Sequence, residues 1–324
     1  MTILAIDQGT TSTKAYAWGR EGLRETGRRR HRQIRPHPGW VEHDPEELIG
    51  HIAGLIDSAG PVTAVGLANQ GETVVAWDAE TGRPLYNAIV WQDERTFDEV
   101  ERLRASGLED LTRQRAGLPL DCYFSATKLR WLIDNAEGAS DLLSQGRLRL
   151  GTSDAFFLDR LTGTFATDPS TASRTSLMNI HQLTWDPVLC DAFGIPPECL
   201  PEIRPTVGDF GTLPGGASLI CSIVDQQASL FGHGCRSPGD IKLTFGTGAF
   251  ALGVTAQVRL DALAVGLLPT CAWQKGGEAR YALDGGILTA GAAIEWLRQL
   301  GLWDDGHALD PAGPSALERG LIFV

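Results

Sequence analysis

The sequence lacks the patterns that mark zinc-binding, secreted and membrane-spanning proteins. Its six cysteines form no Cys-x-x-Cys pair, and no histidine lies at zinc-finger spacing. We therefore predict reduced, buried thiols. Asp7 interrupts the first apolar run, which is too short for a signal peptide, and no stretch is long enough to span a bilayer. These absences favour a cytoplasmic protein that does not use a membrane.

Positive charge is also scarce. The 324 residues include 28 Lys and Arg against 40 Asp and Glu, a formal net charge of −12. Such a balance argues against nucleic acid and anionic membranes as partners. The basic run RRRHR, at residues 28–32, favours a solvated strand face over a polyanion site. The length leans towards two domains, and the oligomeric state stays open, a homo-oligomer included.

A Walker loop is missing as well, because GxxxxGK[ST] does not occur and the first Gly-Thr turn leads into a strand-like run.

HDPEEL predicts a helix start with Asp44 as cap, Pro45 at the first helical position and Glu47 completing a capping box. Strands are predicted at residues 3–6, 14–18, 62–67, 73–77 and 219–224, and helices at 93–105 and 126–135. This order predicts an α/β fold of mixed sheets flanked by helices.

An internal repeat is the most informative feature of the chain. LAIDQGTTSTKAYAW, at residues 4–18, and IKLTFGTGAFALGV, at residues 241–254, both read as strand, Gly-Thr turn and strand. Taken singly, each turn is more often a simple tight turn. Two copies that face each other across a cleft would offer backbone N–H groups and hydroxyls to one polyphosphate, and the duplication favours this reading.

The paired hairpins resemble those of the actin-like ATPase (ribonuclease H-like) superfamily, in which two related domains grip a nucleotide. The resemblance implies ATP and Mg²⁺ as cofactors, with Asp7 holding the metal, usually through water. It also implies two sets of phosphate contacts, Thr10, Thr11, Ser12 and Lys14 in the first hairpin and Gly246, Thr247 and Gly248 in the second.

The middle of the chain narrows this resemblance. YFSATKLRWLIDN, at residues 123–135, is similar to the signature of the FGGY carbohydrate kinases. The segments HPGWVEHDPEEL, NAIVWQDERT, RTSLMNIHQLTWD, VDQQASLFG and FGTGAF resemble the glycerol kinases of that family. The likeness covers nearly the whole chain in order, and it implies ATP-dependent phosphorylation of a small polyol or sugar.

Carried onto this sequence, the family's polyol site comprises Glu72, Trp91, Tyr123, Asp225, Gln226 and Phe250. Asp225 follows an apolar strand, where a partly desolvated carboxylate can act as general base towards a hydroxyl. The aromatic rings can pack on the C–H face of a polyol. Read without the family, Asp225 is a helix cap and Trp91 a core residue.

Two positions depart from the family. Gly71 stands where the resemblance implies an arginine that hydrogen-bonds the substrate, and glycine supplies none of its five donors. Either glycerol binds weakly, or a larger polyol or sugar fills the gap. Lys14 stands where an arginine is implied, and it keeps the charge without the planar fork.

The second repeat unit is expected to be incomplete. Residues 1–235 are predicted as an N-terminal domain with the polyol site, and residues 236–324 as the start of a truncated C-terminal domain. The chain ends at GLIFV, predicted as a strand paired inside a sheet. An alternative function follows, that of an inactive remnant that only binds polyol or nucleotide.

Overall fold

The computed structural model describes residues 2–246, 248–287 and 289–302. The strands of this part are β1 (Ile3–Gln8), β2 (Ser12–Gly19), β3 (Gly22–Arg30), β4 (Glu42–His43), β5 (Ala64–Asn69), β6 (Val74–Asp78), β7 (Ala88–Ile89), β8 (Leu148–Thr152), β9 (Ala166–Thr167), β10 (Met178–Asn179), β11 (Thr184–Trp185), β12 (Glu202–Ile203), β13 (Ser218–Val224), β14 (Ile241–Phe245), β15 (Ala249–Thr255), β16 (Leu268–Lys275) and β17 (Glu278–Ile287).

The helices of the same part are α1 (Pro45–Ser58), α2 (Phe97–Ala105), α3 (Glu109–Arg115), α4 (Ser125–Asn135), α5 (Ala139–Ser144), α6 (Ser153–Thr162), α7 (Pro169–Ala172), α8 (Pro187–Phe193), α9 (Asp225–Gly232) and α10 (Gly291–Gln299). Two 3₁₀ turns cover Pro197–Cys199 and Leu260–Val265. Within the described ranges, no helix combines the length and the apolar composition that a membrane span requires.

The first sheet has the strand order β13-β5-β1-β2-β3. Strand β1 pairs antiparallel with β2 and parallel with β5, and β5 pairs parallel with β13. The predicted hairpin-first mixed sheet is therefore confirmed. Because β1, β5 and β13 are parallel, their carboxyl ends lie at one edge of the sheet, where Asp7, Gly71 and Asp225 end or follow the strands.

A second sheet has the order β4-β7-β6-β8. Only four residues separate β5 from β6, yet the two strands belong to different sheets. The connecting turn is sharp because Glu72 has φ of 60°, a left-handed conformation that non-glycine residues rarely adopt. The turn therefore carries Gly71 and Glu72 from one sheet to the next.

Helix boundaries follow from side-chain bonds. The Asp44 carboxylate accepts the Glu46 N–H at 2.9 Å, as predicted for the cap of α1. The predicted capping box is replaced by a different contact, since the Glu47 carboxylate lies 3.7 Å from Arg32. Helix α2 begins four residues later than predicted, at Phe97, because Asp93 accepts the backbone N–H of Arg95 in a turn.

Two apolar cores support these sheets. The first packs α1 and α6 against the first sheet, through residues such as Leu48, Ile52 and Phe156. The second packs α4 against β6 and β8, and its buried members include Leu129, Leu132 and Leu150. The six cysteines are free thiols.

The chain divides into two compact units. The first comprises Met1–Lys242 and Leu252–Gly285, and the second comprises Leu243–Ala251 and Gly286–Val324. A sheet with the order β14-β15-β17-β16 follows the first two sheets in sequence. The partition into domains 1–235 and 236–324 stays a prediction, and the predicted strand at GLIFV lies outside the described residues.

Candidate active site

The hairpin of β1 and β2, predicted to contact phosphates, carries an ion pair. Asp7 on β1 and Lys14 on β2 are register partners, and the Lys14 Nζ lies 3.2 Å from the Asp7 Oδ2. The two side chains are 38% and 30% exposed, so both charges remain accessible to a ligand. The carboxylate and the ammonium therefore lie together beside the Gly-Thr turn.

A histidine is hydrogen-bonded to the backbone of the Gly-Thr turn. The His31 Nε2 lies 3.0 Å from the carbonyl oxygens of both Gly9 and Thr10. Because carbonyls only accept, this nitrogen carries the proton and donates. Thr11 is exposed and Ser12 is half-buried, and the Ser12 carbonyl accepts the Gly9 N–H at 3.1 Å. His31 had no sequence signal beyond its place in the basic run.

Trp91 connects this hairpin with the predicted polyol residues. Its indole Nε1 donates to the Thr10 hydroxyl at 2.9 Å. Its ring meets the Tyr123 ring edge-on, with the centroids 5.6 Å apart. Trp91 is half-buried and hydrogen-bonded to a polar turn, which is unlike a core tryptophan.

A buried lysine supports both aromatic residues. Lys128, fully buried on α4, donates from Nζ to the Tyr123 carbonyl at 2.9 Å and to the Trp91 carbonyl at 3.3 Å. Burial lowers the pKa of Lys128 to about 8, and the nearby Glu72 and Asp93 carboxylates oppose the shift. Lys128 lies within the recognised signature, but sequence reasoning assigned it no role.

Asp225 is the first residue of α9 rather than its cap, which is Val224. Burial raises the pKa of Asp225 to about 7, and the charges of Asp7 and Glu72 add to the shift. The Gln226 backbone N–H and Lys242 oppose it. At neutral pH this carboxyl is thus poised between its protonated and ionised forms, as general-base catalysis requires.

Gln226, next along the chain, is engaged by a lysine that the sequence did not reveal. The Lys242 Nζ donates to the Gln226 Oε1 at 2.9 Å. Lys242 is almost fully buried, and burial lowers its pKa although Asp225 and Asp284 oppose the shift. A cation therefore lies close to the two adjacent polar residues of α9.

Glu72 is clamped by Arg174. The Arg174 Nε donates to the Glu72 Oε1 at 2.5 Å, and its Nη2 lies 3.1 Å from the Asp284 Oδ2. Burial raises the pKa of Glu72, while Arg174 opposes the rise. The guanidinium carbon lies 5.6 Å from the centre of the Tyr123 ring, so the ion pair of Arg174 and Glu72 adjoins the aromatic pair of Trp91 and Tyr123. Arg174 is the first residue of the segment RTSLMNI, but its contact with Glu72, 102 residues away, forms only when the chain folds.

Gly71 is buried in the same turn. A Cβ built on it would lie 3.2 Å from the Val224 Cγ1 and 3.6 Å from the Cγ2. The nearest neighbour at this position is thus apolar.

The remaining predicted residues belong to the second unit. The Gly246 N–H donates to the Gly248 carbonyl at 2.8 Å, and the Gly291 N–H donates to the Gly246 carbonyl at 3.0 Å. Phe250 packs on Gly286, where a Cβ would lie 2.9 Å from the Phe250 Cδ1. Thr247 lies outside the described residues.

The residues present fit a Mg²⁺ ion held mainly by water and phosphate. Among the described residues no set of three His, Cys, Asp or Glu side chains is arranged as a metal cage. Mg²⁺ commonly uses only one or two carboxylates together with substrate phosphates. The Asp7 carboxylate is partly exposed beside the turn, and its negative charge helps to raise the pKa of Asp225. Asp7 is therefore suited to such an ion.

Comparison with known proteins shows the fold and the family of the chain. The fold is that of the actin-like ATPases, and solved carbohydrate kinases share it. Residues 2–226 match the N-terminal domain of the FGGY family of carbohydrate kinases, and the chain belongs to that family.

The chain is similar to two bacterial glycerol kinases. It is 45% identical over 314 residues to that of Paraburkholderia phymatum, covering 91% of this chain and 62% of the relative. It is 44% identical over 341 residues to that of Paraburkholderia phytofirmans, covering 99% and 68%. The chain thus spans less than two thirds of the P. phymatum protein.

Among solved structures, a glycerol kinase from Plasmodium falciparum with ADP has a TM-score of 0.87 and 33% identity, covering 94% of this chain and 64% of that one. A ligand-bound xylulose kinase from Lactobacillus acidophilus has a TM-score of 0.82 at 21% identity, covering 92% and 62%, and it shows the shared fold alone.

Proposed function

We propose that the chain carries the acceptor site and first phosphate hairpin of an ATP-dependent kinase that phosphorylates a primary hydroxyl of glycerol or a related small polyol. The observation that carries the proposal is the Asp225 carboxyl, whose pKa is raised to about 7 beside Asp7 and Glu72. The similarity to glycerol kinases supports the choice of substrate class.

In the proposed reaction the acceptor oxygen attacks the γ-phosphorus of ATP and gives its proton to the Asp225 carboxylate. The bond between the γ-phosphorus and the bridging oxygen breaks, and ADP leaves with the electron pair. Charge neutralisation and alignment account for most of the catalysis of such transfers. Lys14 and the turn at Thr10 are proposed to contact the phosphates, and the accessible Lys14 ammonium beside that turn supports this role.

Mg²⁺, held at Asp7, would neutralise charge on the phosphates when bound. Glu72 and Gln226 are proposed to hydrogen-bond the other hydroxyls, and Trp91 and Tyr123 to pack on the carbon chain. Phe250 and the second Gly-Thr turn, including Thr247, are proposed to complete the site. An ATP-consuming reaction fits the cytoplasmic location that the sequence predicts.

The test is a screen of polyols and sugars for ATP consumption by the 324-residue chain and its Asp225→Asn variant. A positioned base contributes roughly 10²–10⁴-fold to turnover, so the variant should lose activity by that factor. Asp261→Asn is the matched control, because Asp261 is exposed and pairs with Arg259 at the surface. Equal turnover by the Asp225 variant and the control would refute the role.

An alternative function is polyol or nucleotide binding without transfer. The coverage of less than two thirds of the P. phymatum relative is the observation that keeps it open. Calorimetry with glycerol and with Mg·ATP decides between the two, because binding without ATP consumption would favour the alternative. The screen also tests whether a larger polyol or sugar is the substrate.

A further inference from the structure

One histidine binds three successive carbonyl groups of the first Gly-Thr turn. The His31 Nε2 lies 3.0 Å from the carbonyl oxygens of Gly9 and of Thr10. The His31 backbone N–H donates to the Thr11 carbonyl at 3.4 Å. Because Nε2 meets two acceptors, they share its single proton. The side chain and the backbone of His31 therefore hold three carbonyls towards the same residue.

The direction of a carbonyl determines that of the next N–H group. A trans peptide is planar, so a carbonyl and the N–H of the following residue point in opposite directions. None of the described peptide bonds is cis. Since the Gly9 and Thr10 carbonyls are directed at His31, the N–H groups of Thr10 and Thr11 point away from it. Within the described ranges, neither N–H donates a hydrogen bond.

The turn is accessible to a ligand on the side opposite the histidine. His31 is buried, whereas Thr10 is half-buried and Thr11 is exposed. The Lys14 ammonium, 30% exposed, lies beside the same turn. Successive backbone N–H groups form an anion-binding concavity, and a nearby cation strengthens it. The turn thus directs its acceptors at His31 and leaves two donors for an anion.

The hairpin does not need the histidine in order to close. The Gly9 N–H donates to the Ser12 carbonyl at 3.1 Å, which closes the loop between β1 and β2. The His31 Nδ1 is buried and has no hydrogen-bond partner among the described residues, which is unfavourable for stability. Burial also lowers the pKa of His31, although its bonds to the Gly9 and Thr10 carbonyls oppose the shift. These features indicate a role beyond closing the turn.

We propose that His31 is a positioning residue of the nucleotide site, which orients the turn so that the Thr10 and Thr11 N–H groups bind the terminal phosphates. This inference rests on the proposed function, in which ATP is the phosphate donor. His31 itself touches neither substrate. Donors that are already oriented bind an oxyanion without any rotation of the peptide planes. Without His31, the two carbonyls are free to rotate outward and would repel the phosphates.

The first experiment compares three single variants. His31→Phe keeps a ring and removes the Nε2 donor, whereas His31→Gln supplies an NH₂ group that can donate to two carbonyls. His51→Phe is the matched control, because the His51 ring is in the same cluster, with its centroid 6.1 Å from that of His31, and has no described hydrogen bond to the turn. Tm values establish that each variant is folded.

Calorimetry with inorganic tripolyphosphate measures the anion site directly. Affinity should fall by about tenfold or more in His31→Phe, the effect of losing one hydrogen bond to a charged group. His31→Gln should regain most of the affinity, and His51→Phe should bind as the wild type does. Unchanged affinity in His31→Phe would overturn the proposal. A loss in His31→Gln as large as in His31→Phe would assign the effect to ring packing and overturn it too.

NMR spectra of the ¹⁵N-labelled chain supply a readout that a merely structural role would not move. Adding tripolyphosphate to the wild type should shift the Thr10 and Thr11 amide protons downfield, because both N–H groups then bond to an anion. The shifts should be absent from His31→Phe and present in His51→Phe. Unmoved Thr10 and Thr11 resonances in the wild type, with or without binding, would overturn the proposal.

Kinetics with Mg·ATP separate failure of this inference from failure of the proposed function. In His31→Phe the KM for ATP should rise, while the KM for the polyol should change little. Amide shifts in a wild-type chain that consumes no ATP with any polyol would refute the proposed function and leave the role of His31 intact. ATP consumption with the same KM for ATP in His31→Phe and the wild type would refute only the role of His31.

Discussion

The Arg174 side chain donates from Nε to the Glu72 carboxylate at 2.5 Å, and both side chains are almost completely buried. Arg174 also meets Asp284 through Nη2. One guanidinium thus lies between two carboxylates. Although burial alone would lower the pKa of Arg174, Glu72 and Asp284 raise it. The arginine stays charged, and it stabilises the left-handed turn at Glu72.

Removing this arginine should be costly. Arg174→Gln removes the ion-pair partner of the buried Glu72 and of the partly exposed Asp284, so the free energy of unfolding should fall by about 3–5 kcal/mol. Arg259→Gln is the matched control, because Arg259 is half-exposed in its surface pair with Asp261 and its removal should change the stability little. Urea denaturation measures both. If Arg174→Gln lowers the free energy of unfolding no more than the control does, the ion pairs of Arg174 do not stabilise the fold.

Activity should depend on pH through Asp225, whose pKa is raised to about 7 by burial and by neighbouring carboxylates. The base must be ionised to accept a proton, so kcat/KM should fall roughly tenfold per unit below about pH 6 and reach a plateau above about pH 8. A flat profile from pH 5 to 8 would be incompatible with Asp225 as the base.

Stability should show the opposite dependence on pH. The pKa of Asp225 is higher in the folded chain than in the unfolded chain, where it is about 4, so the folded state binds more protons between these values. The stabilising contribution is complete below about pH 4 and is lost as the pH rises through 7. Asp225→Asn should therefore gain stability over the wild type between pH 4 and 8, measured by urea denaturation. A pH-independent difference would argue against the raised pKa.

Lys128 should position Trp91 and Tyr123, the two aromatic residues of the proposed acceptor site. Lys128→Met keeps the apolar stem but removes the bonds to the Trp91 and Tyr123 carbonyls. Polyol KM should rise by about tenfold, since uniform binding is lost, while kcat should change less. Lys275→Met is the control, because Lys275 is exposed. Equal losses in kcat and kcat/KM would point to a direct role in the transition state instead.

Asp7 should be needed for metal-dependent nucleotide binding. Asp7→Asn removes a carboxylate charge beside the Gly-Thr turn and leaves Lys14 unpaired. Calorimetric titration with Mg·ATP should show weaker binding than in the wild type, and titration with ATP alone should be little changed or improved, because Lys14 then faces the phosphates freely. An unaltered effect of Mg²⁺ in the variant would exclude Asp7 as its anchor.

Much of the fold was predictable because it depends on local patterns. Alternating apolar residues on both sides of a Gly-Thr turn determine the hairpin of β1 and β2. The start of α1 follows from Asp44, whose carboxylate accepts the Glu46 N–H, and from Pro45 at the first helical position. These interactions lie within three residues of the chain. Helix α2 was predicted too early because Asp93 is instead bound to Arg95 and the Val41 N–H, and the latter bond spans 52 residues.

The sequence by itself determined the family, the order of strands and helices, and the residue types of the candidate site, because these are carried by contiguous motifs. Only the tertiary structure decided which side chains meet. Arg174 reaches Glu72 across 102 residues, and Lys242 reaches Gln226 from a different element. Val224 lies against Gly71 because β5 and β13 are paired in one sheet. Such contacts depend on how distant segments pack and desolvate one another, and no local pattern contains that information.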